Sequence, residues 1–497
     1  MTTRQNTLHP PTMTALPNTL QPPTMFATPP VEQPALDEAA VEQFRSGLRG
    51  PLLQPGDTGY EEARQVWNGM IDKRPALIAR CTGAADVTAA VNFAREQELL
   101  VAVRGGGHNA AGNATCDGGI VIDLSLMRGV HVDPRQRTAR AQGGATWGDL
   151  DRETQLFGLA TPGGAVSTTG IAGLTLGGGL GWLRRKYGLS CDNLLSVDVV
   201  TADGQLVTAS AEEHDDLFWA IRGGGGNFGV VTSFEYRLHP VGPLALFLLI
   251  LYPAERAREI LPGWRDFMAA APDEFSSNAF FWTVPPAPIF PPQIHGQRVL
   301  VMAGLYAGPI EQGEQVIQPL RKLTTPLADL TSPMPYTAIQ SSLDALFPAG
   351  VLSHYWKSHY LTSLDDMVID DLVEWAIDRP SEMTIVDLWA MGGAASRVPA
   401  EATAFGDRSA PFWLVFNTTW ADPAETETNV NWTRDFWRAM QPYAREGIYM
   451  NFPGLNEEGE QMVQASHGAN YERLVAIKNK YDPTNLFRLN QNIKPTV

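Results

Sequence analysis

The residues best equipped for chemistry lie in one stretch, RGGGHNAAG, from Arg104 to Gly112. It follows the apolar run LLVAV and sets three glycines, Gly105, Gly106 and Gly107, directly before His108. Glycine admits positive φ and lets backbone approach another group closely. Successive backbone N–H groups in such a loop form a nest for an anion such as a phosphate. An imidazole placed there is a nucleophile, a base, or a bystander in a tight turn. Glycine clusters recur at 177–179 and 223–226, each beside an expected strand, so the first loop does not stand alone.

Spacing narrows the phosphate chemistry. A dinucleotide fingerprint needs GxGxxG between a strand and a helix, with an acid about 20 residues on. Gly105, Gly107 and Gly112 do not match, and the strand-like IVIDLSLM follows where a helix is required. GGGGNFG likewise precedes a strand, VVTSFEY, and no glycine loop ends in the GK[ST] of a Walker site. Two readings stay open: tight turns, or a flavin site of another architecture whose loop amides receive the pyrophosphate.

Five motifs occurring together add what spacing does not supply: VRGGGHNAAG, IVIDLSLM, TPGGAVSTTGIAGLTLGGGLGWLRRKYGL, DLFWAIRGGGGNFGVVTSFEYRL and NYERLVAIKNKYDPTNLFRLNQNI. The chain resembles the FAD-linked oxidases of the vanillyl-alcohol oxidase and berberine bridge enzyme type, over roughly residues 74–240 and 445–497, and more weakly between. The resemblance implies an α+β protein: a PCMH-type FAD-binding domain, a mixed α/β substrate domain with an antiparallel sheet, and a C-terminal segment returning to the FAD domain. It implies FAD bound covalently through His108, with Arg104 to Asn109 at the pyrophosphate. Many relatives carry a second link from a cysteine, but Val166 stands at that position, so a single tether is expected. Gly112, Thr168, Gly170, Gly173, Gly177, Gly178, Gly179, Gly226, Val230, Asn470, Asn490 and Asn492 complete the expected cofactor contacts.

The resemblance also implies an oxidase that dehydrogenates an alcohol or amine of a hydrophobic small molecule, with dioxygen as acceptor and hydrogen peroxide as product. Alternatives are a flavin dehydrogenase with another acceptor, a carbohydrate oxidase, or a flavin-holding protein without turnover. GIYMNFPG resembles the family's Tyr-x-Asn-Tyr segment; Tyr449 matches the first tyrosine and Phe452 stands where the second often is. Tyr449 is the expected base, provided its pKa is lowered. Thr169 is expected to gate oxygen, and Asn417 to face the substrate from PFWLVFNTTW, beside Trp413, Val415 and Thr419. That strand has no carboxylate, and Lys357, Tyr360, His354 and His359 in SHYWKSHYL are further pocket candidates.

Elements that must position these residues are legible in the apolar pattern. VEQFRSGLRG reads as a helix ending at Gly50 and PALIARC as a strand. DVTAAVNFAREQEL reads as a helix with Val87, Val91 and Ala94 on one face and Asp86 as N-cap. LLVAV is the next strand, IVIDLSLM and VHVDPRQRTARAQ supply more, and 147–158 is a short helix. LLSVDVVTADGQLVTAS is a hairpin turning at Asp203-Gly204. After Pro240, strands such as LALFLLILY and RVLVMAGLYAG alternate with amphipathic helices, interrupted by the proline-rich TVPPAPIFPPQ. LALFLLILY is too short to span a membrane and reads as a buried strand. The expected division is a disordered tail over 1–35, an FAD-binding domain over 36–240, a substrate domain over 241–450, and a closing segment over 451–497.

A chain of 497 residues is long enough for two or three domains. A formal charge of −17 argues against a nucleic-acid partner. Cys81, Cys116 and Cys191 make neither a disulfide framework nor a CxxC pair, and no metal site is expected. The N-terminal stretch lacks the apolar core of a signal peptide, which favours the cytoplasm. Oligomeric state has no signature in the sequence.

Overall fold

The computed structural model describes residues 36–457 and 459–497; the expected tail over 1–35 lies outside the described residues. The first half is built on two sheets. Leu77–Arg80 and Val101–Arg104 flank Ile120–Asp123 in parallel, with Leu52–Leu53 at one edge. A five-stranded antiparallel sheet follows, in the order Val130–Asp133, Thr138–Gln142, Val230–Arg237, Leu194–Val200, Leu206–Ser210. The expected hairpin is its last pair, with Gly204 at φ +82° in the turn.

Helix Ala84–Glu96 buries Val87, Val91 and Ala94 in a core shared by both sheets, as their 3.6-residue spacing requires. Its N-cap is Gly83, not Asp86. Asp86 sits inside the first turn, where its carboxylate accepts the N–H groups of Thr82, Arg49 and Gly50 at 2.8, 2.9 and 3.1 Å. It therefore pins the preceding segment as well as the helix end. The first helix, Glu38–Gly47, stops before the expected Gly50, because Asp86 captures the backbone there.

The second half carries an eight-stranded antiparallel sheet. Its path runs Ala328–Asp329, Leu244–Pro253, Arg298–Tyr306, Phe275–Thr283, Ile385–Ala390, Phe412–Trp420, Ser353–Leu361, and Ser332–Pro335 also pairs with Leu244–Pro253. Alternate residues point to opposite faces. Leu248, Ile250, Phe281, Leu388 and Phe416 pack against helices Ala257–Ala270, Asp366–Ile377 and Thr426–Met440. Phe247, Leu251, Phe280 and Ile385 pack toward the first half, against Trp67 and Trp182. Coverage on both faces explains why LALFLLILY is apolar throughout.

Helix Tyr471–Tyr481 and the residues after it return to the first half, where Leu474, Ile477 and Ile493 join the core of the five-stranded sheet. The return is locked by a buried ion pair. Lys478 Nζ donates to Asp482 at 2.7 Å, to the Asn227 carbonyl at 2.7 Å and to the Phe487 carbonyl at 3.0 Å. Asp482 accepts the N–H groups of Leu486 and Phe487 at 2.8 and 2.9 Å. Both side chains are fully buried, so removing one leaves an uncompensated charge. Lys478→Met is expected to cost about 3–5 kcal/mol. The check is a denaturant titration: the midpoint must fall well below that of a surface control such as Lys480→Met.

Candidate functional site

The three sheets and the returning segment enclose a cavity of about 310 Å³. One end is walled by Gly105–Asn109, Gly170, Gly173, Gly177 and the loop Gly223–Asn227; the other by the large sheet. Two glycine loops meet backbone to backbone. A Cβ on Gly106 would stand 2.4 Å from the Gly170 nitrogen, and one on Gly170 would stand 2.4 Å from the Gly106 nitrogen. At Gly173 and Gly226 a Cβ would meet nothing within 4 Å, so there glycine keeps the cavity open.

This contact delivers Thr168 and Thr169 to His108. The Thr168 hydroxyl lies 3.0 Å from Nε2 and the Thr169 hydroxyl 3.4 Å from Nδ1. Burial pushes the imidazole pKa down to about 3, so the ring is neutral and keeps a lone pair at neutral pH. Trp67 stacks on His108, centroids 4.8 Å apart, and also on His354, at 3.8 Å.

Large-sheet residues form a wall that is aromatic with few polar groups: Phe280, Trp356 and Trp389, with Asn278, Asp387 and Asn417. Asp387 is the residue that the sequence reading missed. Burial pushes its carboxyl up to about 7, against the opposing pull of Arg184. Its Oδ2 accepts from Asn278 Nδ2 at 3.4 Å, and the Trp389 side chain adds a further hydrogen bond that favours the ionised form. Asn278 Oδ1 accepts in turn from Arg184 at 3.0 Å. Arg184 is fully buried over the Trp389 ring and also donates to the carbonyls of Gly181, Ser277 and Ala390. The carboxylate thus meets its cation at one remove. The signal was a lone acid in an otherwise apolar strand, IVDLWA.

Tyr449 lies in the wall with Asn451 and Phe452. Its oxygen accepts from the N–H groups of Gly179 and Leu180 at 3.1 and 3.2 Å and from Asn451 at 2.8 Å. Burial pushes the phenol up to about 12, the opposite of what a base at neutral pH requires. Phe452 adds an aromatic edge against Trp356.

Of the other expected residues, Gly105, Gly106, Gly107, Asn109, Val166, Thr169, Gly170, Gly173, Gly177, Gly226, Asn417 and Asn490 line the cavity. Arg104, Gly112, Thr168, Gly178, Gly179, Val230, Asn470 and Asn492 are not part of its wall. The Arg104 guanidinium is held by Asp123, at 2.6 and 3.0 Å, and by the Ala63 and Gln65 carbonyls, so it anchors the loop from behind. Gly112 turns at φ +72° against Ile71, and Gly178 and Gly179 pack on Phe405 and Ser190. Val230 is a core strand residue whose neighbour Val231 lines the cavity. Asn470 donates to the carbonyls of Ala400 and Thr403. On strand Ser353–Leu361, Lys357 and His359 face the helix side, toward Glu457 and Trp437, because they alternate with Trp356. Tyr360 is buried on Trp413, and His354 hydrogen-bonds Thr419, both outside the cavity wall.

The wall fits FAD. Its glycine backbone offers amides to a pyrophosphate, and no lysine or arginine lines it among the described residues. Asn490 donates to the Gly226 and Phe487 carbonyls, which ties the closing segment to the glycine loop at the wall.

Residues 75–210 match the family of FAD binding domains, and residues 448–494 the berberine and berberine-like family. An FAD-linked oxidoreductase of Dictyostelium discoideum is 32% identical, covering 92% of this chain and 97% of that protein. The (R)-6-hydroxynicotine oxidase of Paenarthrobacter nicotinovorans is 32% identical, covering 90% and 97%. The structure of 6-hydroxy-D-nicotine oxidase from Arthrobacter nicotinovorans superposes with a TM-score of 0.79 at 31% identity, covering 90% and 98%. That of a carbohydrate oxidase from Microdochium nivale gives 0.80 at 25%, covering 92% and 100%. The chain therefore belongs to the FAD-linked oxidoreductases of the vanillyl-alcohol oxidase and berberine bridge enzyme superfamily, with a PCMH-type FAD-binding domain joined to a berberine-bridge-like domain, and it is an FAD-dependent enzyme.

Proposed function

We propose that the enzyme oxidises a small organic molecule at a carbon bearing a hydroxyl or amino group, with dioxygen as acceptor and hydrogen peroxide as product. The observation that carries this reading is Asp387, a carboxyl balanced near neutrality inside an aromatic cavity wall. Bound FAD supplies the acceptor for two electrons. The Asp387 carboxyl, part of the cavity wall, takes the proton from the substrate O–H or N–H. Asn417 and Asn278 orient that group, and Trp356, Trp389 and Phe280 exclude water around it. The backbone of Gly105–Asn109 and Gly223–Gly226 receives the pyrophosphate. His108, neutral and held by two threonine hydroxyls, is the proposed point of covalent attachment, without a second link because Val166 has no thiol.

Two substrate classes have support. The low polarity of the wall favours a ring-bearing amine or alcohol, and the similar 6-hydroxynicotine oxidase acts on such a molecule by its name. Flat aromatic faces also stack on sugar rings, and the similarity to a carbohydrate oxidase favours a saccharide. A panel of cyclic amines, aryl alcohols and oligosaccharides, followed by peroxide release, separates them. Substrate consumption without peroxide, and a reduced flavin stable in air, would reject dioxygen as acceptor.

Acid precipitation should leave the flavin with the protein and add the mass of one FAD. In His108→Ala the flavin should appear in the supernatant, and wild-type protein releasing its flavin would defeat the tether. Asp387→Asn should keep its FAD and lose about 10²–10⁴-fold in kcat. The base works ionised, so activity should rise with pH through about 7 and level off above it. Asn278 holds the ionised form through its N–H, so Asn278→Leu should move that rise to higher pH. A flat pH profile in the same rate-limiting step would contradict the assignment. Gly106→Ala drives a methyl into the Gly170 backbone, and purified protein should retain only a small fraction of its FAD, read from the 450 nm absorbance per chain.

A further inference from the structure

His467, the last residue of helix Gly459–His467, belongs to the cavity wall, yet no part of the proposed chemistry uses it. Its Nδ1 lies 3.2 Å from the Ala404 carbonyl oxygen. A carbonyl only accepts, so Nδ1 carries the hydrogen. Burial keeps the ring neutral near pH 7, pushing its pKa down to about 4. The remaining nitrogen, Nε2, is then a bare lone pair, with no hydrogen bond to it among the described residues. Gly223, Gly224, Met450 and Asn451 belong to the same cavity wall. Gly223 is pressed against the backbone of Phe405, next to Ala404, so the histidine's anchor and the glycine loop share one support.

An acceptor fixed in tautomer and direction selects a donor. The large sheet places its own polar groups, Asp387, Asn278 and Asn417, on other elements of the wall. His467 ends a helix of the returning segment, and its partner Ala404 adjoins Phe405, which backs Gly223 of the glycine loop. Bound FAD would bring N–H and O–H donors, among them the N3–H of its ring and the hydroxyls of its ribityl chain.

We propose that His467 Nε2 is a cofactor-positioning acceptor that takes a hydrogen bond from an N–H or O–H of FAD. The inference rests on the cavity being the flavin site and is independent of the substrate and of Asp387. The bond is tested where affinity is measurable, in full-length His108→Ala protein, whose FAD is held without a covalent link. FAD titration followed by flavin fluorescence should show about three- to tenfold weaker binding in His108→Ala/His467→Leu, the loss of one buried hydrogen bond. His467→Gln, which keeps an acceptor oxygen, should recover most of it. A purely structural role would leave glutamine no better than leucine. With His467 intact, either N3-methyl-FAD or an FAD lacking the ribityl 2′-hydroxyl should bind weaker by a similar factor, and the one that does identifies the donor. This arm needs no histidine variant, so misfolding of His467→Leu leaves the test standing. Equal FAD affinity in a folded leucine variant, or glutamine no better than leucine, overturns the proposal. Failure of His108→Ala itself to take up FAD, with its fold intact, instead makes the tether the source of cofactor retention and overturns His467 as a contributor to it.

Discussion

The site depends on one steric fact: Gly106 and Gly170 touch backbone to backbone, at a distance that no side chain survives. The first lies in the loop that presents His108, the second in the loop that presents Thr168 and Thr169. Each loop is braced from outside. Arg104 ties the first to Asp123, while Trp147 and Ile171 hold the second through backbone bonds involving Thr169 and Ala145. Trp67 then keys the assembly into the large sheet. Its ring stacks on His108 and His354, its Nε1 donates to the Phe347 carbonyl, and the adjacent Asn68 bonds the His354 backbone in both directions. The two halves of the cavity are thus registered by contacts made within a few residues of the imidazole.

Charge is arranged as economically as space. The chain carries −17 overall, yet among the described residues the cavity wall offers no lysine or arginine to a bound dianion. In the proposed mode of binding oriented amides take that role, and they add no full positive charge beside Asp387. A cation in direct contact would strip the proton from that carboxyl at any working pH. Arg184, reaching it only through Asn278, opposes burial without cancelling it. The same separation explains how Arg184 tolerates burial, since three carbonyls and an aromatic face share its donors.

Local order was legible wherever periodicity or turn chemistry dictates structure. The hairpin at Asp203-Gly204, the helix bearing Val87, Val91 and Ala94, and the strand LALFLLILY follow directly from their patterns. The glycine loops were legible as a cradle, but not which glycines face inward. Gly177 lines the cavity while Gly178 and Gly179, its neighbours, pack on Phe405 and Ser190 from distant segments. Arg104 illustrates a further limit: its partner Asp123 is fixed by the parallel pairing of two strands, which no local pattern encodes. Asp387 has no local signature as a wall residue: the strand of the family motif, Phe412–Trp420, carries no carboxylate, and it is the sheet order that brings the adjacent strand's acid to the same wall.

The contrast between Tyr449 and Asp387 shows what placement does to a side chain of suitable chemistry. Three N–H groups converge on the phenol oxygen, a setting that favours a phenolate, yet burial outweighs them and the proton stays. The tyrosine's work is then mechanical: its oxygen clamps the Gly179–Leu180 backbone to the loop that carries Asn451 and Phe452. With phenylalanine at 452, that loop supplies aromatic wall and no second hydroxyl. In the proposed chemistry, proton transfer falls to a group on a more rigid element. Asp387 sits in the middle of the large sheet, paired across to Phe280 on one side and Val415 on the other. Two strand neighbours fix the backbone that carries this carboxyl, so its direction is set by the sheet and not by a flexible loop.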